Sequence, residues 1–435
     1  MMASQEYKTR RRDLAMRIPP YCIAIIPAAT ERLRNGDAHY RFRQDSDFYY
    51  LTGFNEPDSL LLVTSGKEHT SVLFNRPNNP VEEQWSGQRL GQDGACQILG
   101  VDAAYPLSDI QTRLPELLAN KQAIYYAIGE HPAWEDPILK AWQTVKGMSR
   151  RGVNAPDAFC DLSTILGDMR LIKSDTEIAL MQQAGRITVV AHQRAIKACR
   201  KARYEYELEA ELTYEFTRQG CRSVAYDSIV ASGRNACILH YTNNNQPLNA
   251  GDLVLIDAGA EFENYAADVT RTFPINGRFS TEQRLIYELV LRAQRAGIDC
   301  IKPGCLWPDI QQTIVKILTE GLISLGLLRG QLDELITQEA YKPFYMHNSG
   351  HWLGLDVHDS GRYKINGEWR RLAKNMMLTV EPGLYIPAGL DGIDERWWNI
   401  GVRIEDDIRV TDEGYENLTA GLVVEPDDIE ALMNG

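Results

Sequence analysis

Residues 17–150 alternate short apolar runs with turn residues. Cys22-Ile-Ala-Ile-Ile, Ser59-Leu-Leu-Leu-Val-Thr, Thr70-Ser-Val-Leu-Phe and Ala123-Ile-Tyr-Tyr-Ala-Ile have the length and β-propensity of buried strands. Between them, Ser108-Asp-Ile-Gln-Thr-Arg-Leu-Pro-Glu-Leu-Leu reads as a helix, so this half is α/β with its own core. A boundary is predicted near Asn154-Ala-Pro-Asp and Leu171-Ile-Lys-Ser. Ser174-Asp-Thr-Glu177 then fits a capping box, in which a hydroxyl and a carboxylate satisfy unpaired amides at a helix start. The helix it opens runs to about Arg200, and a second spans about Glu205 to Gln219. Beyond them the pattern changes. Gly251-Asp-Leu-Val-Leu-Ile-Asp-Ala-Gly-Ala and Ala266-Ala-Asp-Val-Thr-Arg-Thr-Phe read as paired strands, 281–339 as a helical pair, and 344–423 as short strands rich in glycine. Helices on one face of a mostly antiparallel sheet make an α+β domain.

Charge and composition narrow the function. The 435 residues suffice for two or three domains at roughly 150 residues each. The net charge of −13 argues against nucleic acid as the main partner. No apolar stretch approaches the ~18–20 residues of a membrane helix. Lys8, Arg10, Arg11 and Arg12 precede an apolar run from Ile18 to Ala29, but its three prolines exclude the continuous helix of a signal peptide. The eight cysteines are scattered without a C-x-x-C pair and read as reduced thiols. The expected location is the cytoplasm.

The chemistry-bearing residues gather in the second half. His347, His351 and His358 fall within twelve residues, interleaved with Gly350 and Gly354, where the backbone can approach a ligand closely. Asp257, Asp268, Glu381 and Glu405 sit in or at the ends of strongly apolar strands. Buried carboxylates demand cations. The nearby basic residues are Arg271 and Arg403, so a salt-bridge network is one reading, and a metal site the more economical one. Four carboxylates and one imidazole suit two divalent ions, with oxygen-rich ligation favouring Mn²⁺ over structural zinc. Such a pair polarises a carbonyl and activates water for hydrolysis, with further histidines as proton carriers.

Asp257, Asp268, His351, Glu381 and Glu405 stand in the order and motif context of the pita-bread metallopeptidases, which include methionine aminopeptidase, prolidase, aminopeptidase P and the metal-free creatinase. The fragments Ile238-Leu-His-Tyr-Thr, Asp257-Ala-Gly-Ala, Asp268-Val-Thr-Arg-Thr-Phe-Pro, His351-Trp-Leu-Gly-Leu-Asp-Val-His-Asp, Glu381-Pro-Gly-Leu-Tyr-Ile and Arg403-Ile-Glu-Asp-Asp resemble the proline-specific branch. Phe42-Arg-Gln-Asp-Ser-Asp-Phe-Tyr-Tyr-Leu-Thr-Gly-Phe and Trp85-Ser-Gly-Gln-Arg-Leu-Gly resemble the bacterial aminopeptidase P group in particular. The resemblance covers nearly the whole chain. It implies a creatinase-like α/β N-terminal domain over 1–172 and an α+β pita-bread catalytic domain over 173–435.

It also implies roles. Asp257 and Asp268 would bind one metal, Asp268 and Glu405 would bridge to the other, and His351 and Glu381 would complete the second. His240, His347 and His358 match substrate-site histidines, with His358 steadying the scissile carbonyl or shuttling a proton. Glu381 is the candidate general base, and Arg403 and Tyr385 match positions behind the reacting water. Trp85 and Arg150 (or its neighbour Arg151) match residues that approach a neighbouring subunit's active site, and Tyr226 one that lines the metal pocket. As residues alone, Trp85 also reads as a packed aromatic and Tyr226 as plain core. The loop from Pro387 departs from the family pattern, and its Trp397 and Trp398 are expected at a subunit contact or at the pocket rim. The implied reaction is release of the N-terminal residue from peptides with proline second, by a homo-oligomer, dimer or tetramer. Rival readings are a prolidase confined to dipeptides, a metal-free creatinase-type enzyme, and a catalytically dead binding module.

Overall fold

A computed structural model describes residues 4–66 and 68–435. The chain divides into two compact units, Met1–Arg170 and Leu171–Gly435.

The N-terminal unit is α/β. Its six-stranded sheet runs Ala103–Pro106, Ser71–Asn75, Leu60–Thr64, Ile23–Pro27, Ala123–Tyr126, Ala158–Asp161. Ile23–Pro27 pairs antiparallel with Leu60–Thr64 and parallel with Ala123–Tyr126. Ile23–Pro27, Leu60–Thr64 and Ser71–Asn75 are buried at every position, which is why they read as unbroken apolar runs. The basic N-terminal stretch, read from sequence as a flank, is instead part of a helix, Ser4–Arg17. Arg10 and Arg11 are buried and donate to the carbonyls of Tyr50 and Leu51, at the end of the helix Ser46–Thr52. Arg11 also donates to Leu99 and Gly100. The last carbonyls of a helix have no further intrahelical amide to bond, and guanidinium groups are well suited to satisfy them.

The C-terminal unit is α+β, and every strand pairing in it is antiparallel. The capping box at Ser174 and Glu177 opens the helix Asp175–Ala198, and a second box, Ser280 with Gln283, opens Thr281–Asp299. The stretch expected to hold two helices holds three, Thr281–Asp299, Trp307–Ser324 and the short Leu332–Thr337. The last is too short to show a helical period in sequence. The helices bury their apolar faces with the strands in one large core. Trp397 belongs to that core at 4% exposure, so it marks neither a subunit contact nor a pocket rim. Among the described residues no helix is long and apolar enough to cross a membrane.

Strand register sets up the site. Leu253–Asp257 pairs with Thr270–Pro274 so that Asp257 faces Thr270. Asp268 lies in a break between Tyr265–Ala266 and Thr270–Pro274, not within a strand as the sequence suggested. At this break two segments of the chain come close together: a Cβ on Gly259 would stand 1.6 Å from the Ala267 carbonyl oxygen. Only glycine allows that crossing.

Candidate metal centre

Five predicted ligands reach the centre from four stretches of chain. Met377–Val380 pairs with Asp406–Val410, with Val380 opposite Asp406. Glu381 and Glu405 therefore emerge side by side, one just past its strand and one just before. The Glu405 amide donates to the Thr270 carbonyl at 3.1 Å, joining this pair of strands to the hairpin that carries Asp257 and Asp268. The segment holding His351 lies along Met377–Val380: Thr379 N–H donates to the His351 carbonyl at 2.9 Å, and Glu381 N–H to that of Ser349 at 2.9 Å.

Asp268, His351 and Glu405 each offer a ligand atom within 4.8 Å of the others. His351 Nε2 lies 3.3 Å from Asp268 Oδ2 and 3.6 Å from Glu381 Oε1. Its Nδ1 donates to the Trp352 carbonyl at 2.9 Å, leaving Nε2 to face the carboxylates. Tyr226 O–H reaches Asp257 Oδ1 at 2.5 Å and also contacts Asp268 Oδ1, so one phenol ties the two aspartates together.

The charges do not balance within the protein. Arg403 Nη2 pairs with Asp257 Oδ2 at 2.6 Å. Arg271 pairs with Asp406, outside the predicted ligands. Side-chain ion pairs therefore run from Arg403 to Asp257 and from His351 to Asp268 and Glu381, two cations against four carboxylates. Burial pushes Glu405 well above the usual glutamate range, reinforced by Asp268, Glu381 and Asp257. Burial likewise raises Glu381, to about 7. Burial alone would lower His351, but hydrogen bonding and attraction to Asp268, with the Glu381 charge, raise it to about 9. Carboxylates held together against their repulsion, beside one imidazole nitrogen, fit divalent cations.

A cavity of about 610 Å³ opens onto the cluster, lined in part by Tyr226, His240, His347, His358, Glu381 and Arg403. His347 accepts from Tyr385 O–H at Nε2 (2.8 Å) and donates from Nδ1 to the Asn348 carbonyl (2.8 Å). Arg403 Nη1 donates to the same Tyr385 oxygen at 3.0 Å. Burial and the Arg403 charge lower His347 to about 4, so its imidazole is neutral near pH 7. His358 is lowered by burial and by His351, whose ring it meets edge-on at 4.3 Å between centroids. Trp85 and Arg150 are exposed residues of the N-terminal unit and are not among those lining the cavity.

Two residues without a predicted role stand beside these candidate ligands. Thr270 Oγ1 donates to Glu405 Oε2 at 2.6 Å and accepts from Arg403 Nε at 3.2 Å. Both Asp407 oxygens accept from the Asp268 amide at 3.2 Å, and burial and the Asp268 charge raise the Asp407 carboxyl well above its usual range. Their signal was adjacency, in Asp268-Val-Thr and Glu405-Asp-Asp.

Comparison with known proteins agrees with this geometry. Residues 179–412 match the model of metallopeptidase family M24, and residues 7–125 that of the aminopeptidase P N-terminal domain. The chain belongs to metallopeptidase family M24. An Xaa-Pro aminopeptidase of Escherichia coli is 46% identical over 435 residues, covering 99% of this chain and 98% of that protein. The solved structure of Pseudomonas aeruginosa aminopeptidase PepP matches with a TM-score of 0.98 at 48% identity, covering 100% of this chain and 98% of its own. A structure of E. coli aminopeptidase P with the inhibitor Pro-Leu matches at a TM-score of 0.96 and 46% identity, again over 100% and 98%. This M24 member thus combines an α/β aminopeptidase P N-terminal domain with the α+β pita-bread peptidase domain.

Proposed function

We propose that this M24 metallopeptidase is an Xaa-Pro aminopeptidase, releasing the N-terminal residue from peptides with proline second. The observation that carries it is the cluster of buried, under-neutralised carboxylates opening onto a histidine-lined cavity. The full-length similarity to Xaa-Pro aminopeptidases supports the choice of substrate. Residues 1–172 and 173–435 are taken as its two domains.

Asp257, Asp268, His351, Glu381 and Glu405 would hold two divalent ions, with Mn²⁺ suited to so oxygen-rich a donor set. When bound, the ions supply an activated water and polarise the scissile carbonyl. Glu381, raised to about 7 in the metal-free chain, is the candidate proton acceptor. His358 and His240 face the cavity where the carbonyl oxygen and the departing prolyl nitrogen would lie. His347 is neutral and fixes Tyr385 in the Arg403–Tyr385–His347 chain, which holds the wall behind the reacting atoms. Tyr226 sets Asp257 and Asp268 relative to one another.

Proline requires such a site because its ring removes the N–H that general peptidases bind and fixes φ. We place the enzyme in the cytoplasm as a homo-oligomer, dimer or tetramer, with Trp85 and Arg150 as candidates to reach a neighbouring copy's site. The 89% exposed Trp85 indole on the helix Pro80–Ser86 supports that role. The test is hydrolysis of an Xaa-Pro dipeptide and an Xaa-Pro-Yaa tripeptide with Mn²⁺ and with chelator. Metal-dependent release of the first residue from the tripeptide is expected. Cleavage of the dipeptide alone makes the enzyme a prolidase, and cleavage of neither overturns the peptidase reading.

A further inference from the structure

Lys173 and Asp359 form an ion pair sealed from solvent: Nζ lies 2.8 Å from Oδ2, and each side chain is 1% exposed. Neither residue lines the cavity. Desolvation offsets most of the attraction in such a pair, so net stability is a weak reason for its presence. Its surroundings supply a better one.

Asp359 follows His358, and its amide donates to the Trp352 carbonyl at 2.9 Å, closing a turn from Trp352 to Asp359. That same carbonyl accepts from His351 Nδ1 at 2.9 Å. One oxygen therefore orients the His351 ring and anchors the residue beside His358. The Gly354 backbone lies directly on the ion pair: a Cβ there would stand 2.2 Å from Asp359 Oδ2 and 3.0 Å from Lys173 Nζ. The Gly354 carbonyl in turn accepts from the Ala266 amide at 2.8 Å, two residues before Asp268. On the other side, Lys173 is fixed by its amide to the Asn375 carbonyl at 3.0 Å, and Ser174 next to it caps the helix Asp175–Ala198. Glu177 of that cap accepts from Tyr265 O–H at 2.9 Å, in the same hairpin arm.

We propose that Lys173 and Asp359 are positioning residues that clamp the 352–359 turn to the helix start, setting His351 and His358 at their observed spacing. The proposal rests on reading the carboxylate–histidine cluster as the metal centre of a peptidase. Two charges far apart in sequence thereby set the orientation of a ligand imidazole and its neighbour without touching either metal or substrate. Positioning groups of this kind typically change metal affinity or activity by about 10–100-fold when removed.

The test uses the full chain, stripped of metal with chelator. Lys173→Met/Asp359→Leu removes both charges of the pair together. Expected is cooperative unfolding close to wild type, with Mn²⁺ affinity by calorimetry weakened about 10–100-fold. Hydrogen exchange in the metal-free protein is expected to show the His351 Nδ1–H, held on the Trp352 carbonyl in the wild type, losing its protection. A purely structural pair would leave both readings unchanged once stability is recovered, and that result overturns the proposal. Lys173→Met/Asp359→Asn, which keeps the size of residue 359 and also removes both charges of the pair, gives the same two readings if the first double variant does not fold. Lys173→Arg, which keeps the charge, is expected to retain more Mn²⁺ affinity than either. Wild type that binds Mn²⁺ but cleaves no Xaa-Pro peptide refutes the peptidase reading alone, since both clamp readings are independent of turnover.

Discussion

Replacing Glu381 by glutamine is expected to stabilise the metal-free protein while abolishing its activity. Burial is the largest influence on Glu381 and raises it; His351 and Arg403 oppose, Asp268 and Asp257 add, and the carboxyl settles at about 7. A group raised above its ordinary value of 4.5 stabilises the fold only while it keeps its proton. That contribution is complete below about pH 4.5 and is lost as the pH rises through about 7. At pH 8 the folded chain carries a charge it disfavours, and the gap converts to about 3 kcal/mol. Glutamine keeps the shape without the charge. In urea with chelator at pH 8, Glu381→Gln should therefore unfold later by about 1 M, at a slope near 3 kcal/mol/M. At pH 5 the advantage should shrink to about a quarter of that. Added Mn²⁺ should reverse the order, because ligand binding to the folded state stabilises only the protein that keeps its ligands. The reasoning fails if the variant is no more stable at pH 8, or if its advantage is equal at both pH values.

Two further substitutions probe how the centre is assembled. Tyr226→Phe removes the hydroxyl that joins Asp257 and Asp268, and Mn²⁺ affinity should fall about 10-fold with the fold intact; an unchanged calorimetric affinity would remove Tyr226 from the centre. Gly259→Ala puts a methyl 1.6 Å from a backbone oxygen that cannot rotate away, and should cost about 3 kcal/mol or prevent folding. Thermal unfolding at the wild-type temperature would show that the hairpin crossing is loose.

The carboxylates stood out in the sequence because they break a rule: Asp257 closes a run of buried strand residues where an apolar side chain belongs. Helix starts were equally plain, since Ser174 and Glu177 signal one within four residues. What stayed hidden depended on partners remote in the chain. Arg10 and Arg11 resemble a solvated basic run until the carbonyls of Tyr50 and Leu51 are seen to need donors. Trp397 stands in a loop of unfamiliar sequence, yet packs into the core. The break before Asp268 coincides with a backbone contact at Gly259 that no side-chain pattern records.

The same contrast separates the centre from what holds it. A site that must accept divalent ions is left short of positive charge, so its carboxylates conflict with their surroundings and the conflict is legible one residue at a time. Lys173 and Asp359 neutralise each other, so neither leaves an unpaired charge to notice, and 186 residues separate them. Frustrated groups mark where the ions and substrate go. Satisfied groups such as this pair fix the distances between them, and those are visible only once the chain is folded.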